Sequence, residues 1–431
     1  MGIPQSIAGT STPWHWLESR RVRHSLLWTS VAMAVAFLLT TSVFGVGRPK
    51  GKFFGTHDFM YFYAGGRCFI HGENPYDEAT LRARSEGELG SHSYRDESTV
   101  RVYGGFAYPP SSAPFFALLS LPDFNTSRLI NGAINAICFA WFAWLLWWVA
   151  RREGVLDRRW GWIVMTACTA FVFASPFSSH AMWNGQTSLL AMTLTFSAWW
   201  CWQNDRWVIA GLLLALASFK PPFCAFLVLM LVYNRAWKPL FASIGFGLAL
   251  MSMAAYQQGP VGMMHNWLGA VKVYANYHTN LPDFLQSFGM RSLLSAAGWK
   301  TVPSLALLAL VLFGTLLWQS KRFTSFETMC LGLIISLMFI NAHNYDLIVL
   351  TPILAAVLFR FGTTMPRIAL TLFVVAALCF PMRAMKALEG LPEFLIRWRE
   401  MLLIAGTLAW VWWMVKNTPT LPRHSAATPS A

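Results

Sequence analysis

The chain has 431 residues, of which 55% are hydrophobic and 12% are charged, and it carries a formal net charge of +14. This composition excludes an average soluble domain and indicates a protein that crosses a membrane several times. The basic residues lie in short clusters between apolar segments rather than along one helix or tail, so their charge does not predict nucleic-acid binding.

The first long apolar segment, residues 25–46, can cross the roughly 30 Å hydrocarbon layer as a helix. It is too long for a signal-peptide core and no small-residue cleavage site follows it, so we interpret it as an uncleaved anchor. Short basic clusters precede it and recur between later apolar segments: Arg20, Arg21, Arg23, Arg151, Arg152, Arg158, Arg159, Arg235, Lys238, Lys321, Arg322, Arg360 and Arg367. If these clusters are cytoplasmic, they predict about twelve spans with both termini inside.

The stretch THDFMYFYAGG, residues 56–66, places a carboxylate at the head of an aromatic run just after this first segment. Thr56 can cap a helix that holds His57 and Asp58 in its first turn and that ends near Gly72. The helix dipole would favour an ionised Asp58, as a general base requires. The alternative role for Asp58 is to complement the dipole of an interfacial helix.

Residues 208–219 and 223–233 are each shorter than the roughly 20 residues of a full span, and Lys220-Pro221-Pro222 separates them. They predict two short helices that meet at a break near the outer half of the bilayer. Backbone groups at such a break must be buried in protein or line a wet cavity, so the break predicts a cavity. An intramembrane cation costs about 2.5–3.5 kcal/mol, and Lys220 either extends to the interface or binds an anionic group such as a phosphate.

Two long outer segments, 47–128 and 257–300, hold most of the polar variety of the chain. We predict one membrane domain over residues 1–415 and a disordered cytoplasmic tail over residues 416–431. Other polar side chains lie at the predicted outer ends of spans: His180, Trp183, Asn184, Gln186, Arg291, His343, Asn344, Tyr345 and Asp346. Their clustering on one side predicts a single pocket in the outer leaflet.

Five motifs occur in a fixed order along the chain. They are DFMYFYAGGRCFIHGENPYD from Asp58, FAYPPSSAPFFALLSLP from Phe106, NGQTSLLAM from Asn184, AGLLLALASFKPP from Ala210 and YDLIVLTPIL from Tyr345. Together they resemble glycosyltransferase family 87. The resemblance implies an all-α polytopic membrane enzyme of the GT-C type, with about twelve transmembrane or broken helices and an extracytoplasmic loop helix that carries Asp58.

The resemblance also implies a reaction. A member of this family would transfer a sugar, mannose or a related one, with inversion from a polyprenyl-phosphate carrier to a hydroxyl of an envelope glycolipid or glycan. The site would face the extracytoplasmic side of the plasma (inner) membrane. Asp58 would act as the base, Lys220 and Arg291 would hold the lipid phosphate, and either His343 or Asp346 would pair with Asp58.

Further side chains are expected to contact substrate: Tyr61, Asn74, Tyr76, Gln186 and Asp346. The lipid-linked sugar is a co-substrate, so no cofactor is expected, and no Asp-x-Asp pair predicts a metal site. The expected partners are therefore the donor, the acceptor and membrane lipids. A transporter or flippase of lipid-linked sugars is the alternative, because broken helices and intramembrane charges also mark substrate paths. A non-enzymatic envelope scaffold is a third possibility.

Overall fold

The computed structural model describes residues 20–43, 58–89, 106–276, 280–284, 287–299, 304–340, 342–380 and 391–417. These residues are mostly helical. The helices are α1 (Arg20–Val43), α2 (Phe59–Ile70), α3 (Glu78–Leu89), α4 (Ala113–Leu119), α5 (Phe124–Arg152), α6 (Gly161–Ala174), α7 (Pro176–Asn184), α8 (Ser188–Gln203), α9 (Trp207–Ala217), α10 (Pro221–Tyr233), α11 (Trp237–Gln258), α12 (Pro260–Ala275), α13 (Met290–Ala296), α14 (Ala306–Trp318), α15 (Ser325–Phe339), α16 (Leu350–Phe361), α17 (Met365–Cys379), α18 (Glu393–Ile396) and α19 (Trp398–Asn417). Short 3-10 helices cover Pro110–Ser112, Ser320–Arg322 and Asn344–Val349, and two strands, β1 (Ser287–Phe288) and β2 (Ala342–His343), pair antiparallel.

Four helical stretches in the described ranges are long and apolar enough to cross a membrane. They are Phe124–Arg152, Gly161–Asn184, Trp237–Tyr256 and Asn344–Phe361. Shorter apolar helices, α9 and α10 among them, accompany these four. The predicted all-α membrane class is therefore confirmed, whereas the total of about twelve spans stays a prediction.

The helix that follows the first apolar segment begins later than predicted. It starts at Phe59, so Asp58 is its N-cap residue rather than part of its first turn, and the Asp58 side chain makes no capping hydrogen bond. The Asp58 carboxylate instead accepts a hydrogen bond from the side chain of Gln186. Thr56 and His57, the predicted cap and first-turn residue, lie outside the described residues.

The predicted break between two short helices is confirmed, with boundaries shifted by about two residues. Helix α9 ends at Ala217 and α10 begins at Pro221. Lys220 is the N-cap of α10, and the two prolines that follow it occupy positions where a helix needs no backbone donor. Lys220 is thus placed at the break.

Buried apolar side chains form two clusters. The larger includes residues of α5, α6, α8, α10, α15 and α16, and the smaller includes residues of α2, α4 and α12. Tyr108, Phe115 and Ile134 pack against both clusters. Helix α2 lies very close to α4, because a Cβ added at Gly66 would overlap the carbonyl oxygen of Phe116. This close approach explains the small residues in the AGG portion of the opening motif.

The last helix extends past the predicted end of the membrane domain at residue 415. Helix α19 runs to Asn417, and the basic residue Lys416 lies in its last turn. A positive charge there is favourable because it complements the negative end of the helix dipole. Residues 418–431 of the predicted tail lie outside the described residues, so their disorder stays a prediction.

Candidate active site

Asp58 is held at two points by the corner that follows α7. Its backbone N–H donates to the carbonyl oxygen of Asn184 at 3.0 Å, and its carboxylate accepts a hydrogen bond from Nε2 of Gln186. Gly185 ends α7 with a φ of +66°, a conformation that glycine adopts without strain. This left-handed glycine turns the chain at once, which lets the next side chain, Gln186, face Asp58.

The surroundings of Asp58 move its pKa toward neutrality. Burial raises the pKa of Asp58 to about 6, while the hydrogen bond from Gln186 and the positive charge of Lys220 act in the opposite direction and the charge of Asp346 adds to the rise. A carboxylate with this pKa is mostly ionised at pH 7 and is a stronger base than an exposed aspartate. Asp58 therefore has the protonation behaviour that a general base needs.

Lys220 forms a buried ion pair with Asp346. Its Nζ lies 2.5 Å from Oδ1 of Asp346 and 2.5 Å from Oγ of Ser188, and Ser188 Oγ donates to the same carboxylate oxygen at 2.7 Å. The side chains of Lys220 and Asp346 are only 14% and 6% exposed. A cation at a helix N-terminus is unfavourable, and the Asp346 carboxylate compensates it here.

The other oxygen of Asp346 fixes the start of its own helical turn. Oδ2 accepts a hydrogen bond from the backbone N–H of His343 at 2.9 Å. The His343 ring pairs elsewhere, with its Nε2 2.8 Å from Oδ1 of Asn280. The ion-pair partner of Asp346 is thus Lys220, and the pairing of Asp58 with His343 stays a prediction.

Three tyrosines surround this group. The ring of Tyr345 lies 4.9 Å from Nζ of Lys220 and 5.2 Å from the ring of His343. Burial and the negative charges of Asp58 and Asp346 raise the pKa of Tyr274 to about 12, and the same charges act on Tyr108. These phenols therefore stay protonated at neutral pH, so each can donate a hydrogen bond.

The segment that carries Arg291 reaches the site through the paired strands. Ser287 of β1 lies opposite His343 of β2, and Arg291 follows three residues after β1 ends, in the first turn of α13. The fully buried guanidinium of Arg397 holds the preceding loop. It donates to the carbonyl oxygens of Ser287 at 2.5 Å, Phe284 at 2.9 Å and Pro282 at 3.3 Å.

Arg397 is itself compensated by a second buried charge. Its Nη1 lies 3.5 Å from Oε1 of Glu400, and both side chains are at most 1% exposed. The start of the last helix therefore anchors the loop that leads to Arg291. Because a buried charge without its partner is costly, this anchor depends on both members of the pair.

The remaining predicted substrate contacts divide between two places. Tyr61 follows Asp58 in the first turn of α2, is half-buried, and donates its backbone N–H to the Asp58 carbonyl oxygen at 3.1 Å. Asn74 and Tyr76 instead line a separate cleft of about 280 Å³. The structure thus groups Asp58, Gln186, Lys220, Asp346 and His343, and places Asn74 and Tyr76 in the cleft.

Three residues of this arrangement were missed in the sequence. Ser188 lies inside a recognised motif, but nothing local singles it out as the hydrogen-bond partner of both Lys220 and Asp346. Asn280 and Arg397 contact residues far along the chain and have no local pattern that predicts those contacts.

The arrangement can remove a proton and accept an anion within one small volume. A half-buried carboxylate with a pKa of about 6 supplies the base. A buried lysine whose charge reaches that carboxylate supplies the cation. Aromatic rings beside the lysine limit access of water, which strengthens both interactions.

Comparison with known proteins adds one finding. The model of glycosyltransferase family 87 matches residues 106–341, more than half of the chain. No curated protein and no solved structure matches the chain. The matched region contains Gln186, Lys220 and Arg291, while Asp58 precedes it and Asp346 follows it.

Proposed function

Because the chain belongs to glycosyltransferase family 87 and is a membrane glycosyltransferase, we propose that it takes its sugar from a polyprenyl-phosphate carrier. The sugar is mannose or a related one, and the acceptor is a hydroxyl of an envelope glycolipid or glycan. The reaction takes place on the extracytoplasmic face of the plasma membrane. The basic clusters of the short loops support this orientation, because they favour a cytoplasmic position for those loops. The candidate site lies at the other ends of the spans.

Asp58 is the general base of this reaction. The acceptor oxygen attacks the anomeric carbon while the bond from that carbon to the phosphate oxygen breaks, and Asp58 takes the hydroxyl proton. A single displacement of this kind inverts the anomeric configuration. The leaving group is the polyprenyl phosphate, and the transition state between the two has oxocarbenium character. A positioned base contributes about 10²- to 10⁴-fold to the rate of such a step.

Lys220 and Arg291 bind the donor phosphate. Lys220 is already neutralised by Asp346 at 2.5 Å, so it does not present a free positive charge to the donor. The phosphate replaces Asp346 or Ser188 as one of its partners, and Arg291 supplies the second cation. Positive charge placed beforehand at the leaving oxygen stabilises the transition state more than the ground state, because negative charge grows there.

One observation carries this proposal. Asp58 and Lys220 lie far apart in sequence, yet the charge of Lys220 is near enough to act on the pKa of Asp58. The Asp58 carboxylate can take the proton of a hydroxyl that attacks one side of the sugar. The Lys220 ammonium can stabilise the phosphate that departs from the other side. Removal of a proton from a hydroxyl is a step of sugar transfer, whereas movement of an intact lipid-linked sugar includes no such step.

The test is turnover by the purified chain in lipid nanodiscs. Polyprenyl-phosphate mannose and polyprenyl-phosphate arabinofuranose are supplied with a mixture of envelope glycolipids, and nucleotide sugars serve as comparison donors. We expect release of polyprenyl phosphate together with a glycosylated product from the lipid-linked donor alone. Turnover of nucleotide sugars, or movement of an intact lipid-linked donor across vesicles without its consumption, would overturn the proposal.

A further inference from the structure

We propose that the cleft between the α2–α3 turn and α12 binds a neutral sugar unit of the acceptor glycan, next to the unit that receives the transferred sugar. The proposal rests on the proposed function, since it extends the acceptor side of the same reaction. The cleft has a volume of about 280 Å³ and is lined by Asn74, Tyr76, Asp77, Glu78, His265, Asn266, Gly269, Ala270 and Val273. Binding sites for drug-sized ligands begin near about 300 Å³, so this volume suits a single ring.

The first wall of the cleft is a turn fixed by its own hydrogen bonds. Oδ1 of Asn74 accepts the backbone N–H of Tyr76 at 3.1 Å. Asp77 accepts both the backbone N–H and the hydroxyl of Thr80, at 2.8 and 2.7 Å, and so caps α3. These side chains are therefore held in place before any ligand arrives, which lowers the entropic cost of binding.

The opposite wall is one face of α12. Gly269 lies four residues after His265 and three residues after Asn266, so both side chains neighbour it on the side of the helix that lines the cleft. Asn266 is oriented by Gln258, to which its Nδ2 donates at 3.2 Å. A Cβ added at Gly269 would meet no atom within 4 Å, which shows that the glycine borders open space.

The chemistry of the lining selects a neutral polyhydroxyl ligand. Two exposed carboxylates, Asp77 and Glu78, are among the lining residues, and neither Lys nor Arg is among them. Arg82 offsets part of the charge of Glu78 at 3.6 Å, and the charge of Asp77 repels a phosphate or another carboxylate. Within the described residues, no group of three or more His, Cys, Asp or Glu side chains is arranged to hold a metal ion. Amide, imidazole and carboxylate groups mixed with small apolar side chains match a sugar ring, which has hydroxyls at its edge and C–H groups on its faces.

The cleft is connected to the candidate active site through a shared segment. Tyr76 donates its hydroxyl to the carbonyl oxygen of Tyr108 at 3.2 Å, and Trp267 of α12 donates its Nε1 to the carbonyl oxygen of Ala107 at 3.2 Å. The side chain of Tyr108 lies in the field of Asp58. Both walls of the cleft therefore bind the backbone at residues 107–108, and the Tyr108 side chain of this segment lies in the field of the proposed base.

Helix α12 makes the same connection at its C-terminal end. Val273 lines the cleft, while the next residue, Tyr274, is near enough to Asp58 for the carboxylate to raise the pKa of its phenol. Consecutive helical residues point about 100° apart, so Val273 and Tyr274 face adjoining sides of the same helical turn. An acceptor of two or more sugar units can thus occupy the cleft and present a hydroxyl to Asp58.

The experiment is a binding measurement that needs no catalysis. Isothermal titration calorimetry with the purified chain in nanodiscs uses octyl mannotrioside, octyl arabinofuranotrioside and a 6-phosphorylated mannotrioside as probes. Gly269→Leu adds a large side chain that extends into the cleft, and no atom lies within 4 Å of its Cβ. Gly269→Ala adds only a methyl group at the same position. Gly262→Leu is the matched control, because Gly262 lies two turns earlier on α12, also borders open space and is absent from the lining.

We expect at least one neutral trioside to bind, and Gly269→Leu to weaken its binding by a factor of about ten or more. Gly269→Ala and Gly262→Leu should stay within a factor of about two, and the phosphorylated probe should bind at least about tenfold more weakly. Failure of both neutral probes to bind, equal binding by Gly269→Leu, or equal affinity for the phosphorylated probe would overturn the proposal. A chain that binds triosides but never consumes a lipid-linked donor would instead contradict the proposed function and leave the sugar site standing.

Discussion

Replacing Lys220 by Met tests both the stability and the function of its ion pair. The substitution removes the ammonium group that lies 2.5 Å from Oδ1 of Asp346 and leaves a carboxylate whose side chain is 6% exposed. Loss of one member of a buried pair costs about 3–5 kcal/mol, because the other charge stays buried without compensation. In the unfolding equilibrium this corresponds to about two to four powers of ten.

The double variant Lys220→Met/Asp346→Leu separates the two roles. Replacement of a buried ion pair by apolar side chains of similar volume is often neutral or stabilising, so we expect stability within about 1 kcal/mol of the original chain. Transfer should not return, because the cation that binds the donor phosphate is still missing. If Lys220 binds the donor phosphate, the double variant therefore regains the stability of the original chain but not its transfer activity.

The assay compares thermal unfolding midpoints in nanodiscs with transfer rates from a polyprenyl-phosphate sugar. Lys238→Met is the control, since Lys238 is exposed at the start of α11 and should change neither quantity. An unchanged midpoint in Lys220→Met would refute the energetic reasoning. Recovery of transfer in the double variant would refute the role of Lys220 at the phosphate.

Four further predictions concern the base, its amide partner Gln186, the helix contact and the loop anchor. Because Asp58 must be ionised to take a proton and burial raises its pKa to about 6, kcat/KM should fall about tenfold per pH unit below that value. Gln186→Leu removes a bond that lowers this pKa, so the acidic limb should move to higher pH, and an unmoved limb would speak against the contact. Gly66→Ala should lower the unfolding midpoint because its methyl group would overlap a backbone carbonyl of α4, whereas Gly262→Ala, which meets open space, should not. Arg397→Met should cost about 3–5 kcal/mol and raise the donor KM, and an unchanged KM would show that the loop needs no such anchor.

Local patterns in the sequence predicted the features that depend on neighbouring residues. The two prolines after Lys220 and the short apolar segments on each side predicted the break between α9 and α10. The acid before an aromatic run predicted a helix near Asp58, although the helix begins one residue after it. Such features follow from helix termination and from span length, which act over a few residues.

The partners of these residues were beyond the reach of local patterns. The pairing of Lys220 with Asp346, of Asp58 with Gln186 and of His343 with Asn280 joins segments brought together only by packing. Asn74 and Tyr76, predicted to contact substrate, line the cleft, and their contact with substrate stays a prediction. A helical periodicity of 3.6 residues shows which side chains share a face of a helix. It does not show which other segment packs against that face, so it cannot predict these partners.

The central claim, that Asp58 is the general base, is tested most directly by Asp58→Asn. The variant keeps the size of the side chain and removes its ability to take a proton at neutral pH. Asp283→Asn, at an exposed acid of the second outer segment, is the matched control. With a polyprenyl-phosphate sugar as donor, we predict that kcat falls by about 10²- to 10⁴-fold in Asp58→Asn while donor binding changes by less than about threefold. A kcat for Asp58→Asn equal to that of the unaltered chain would contradict the account.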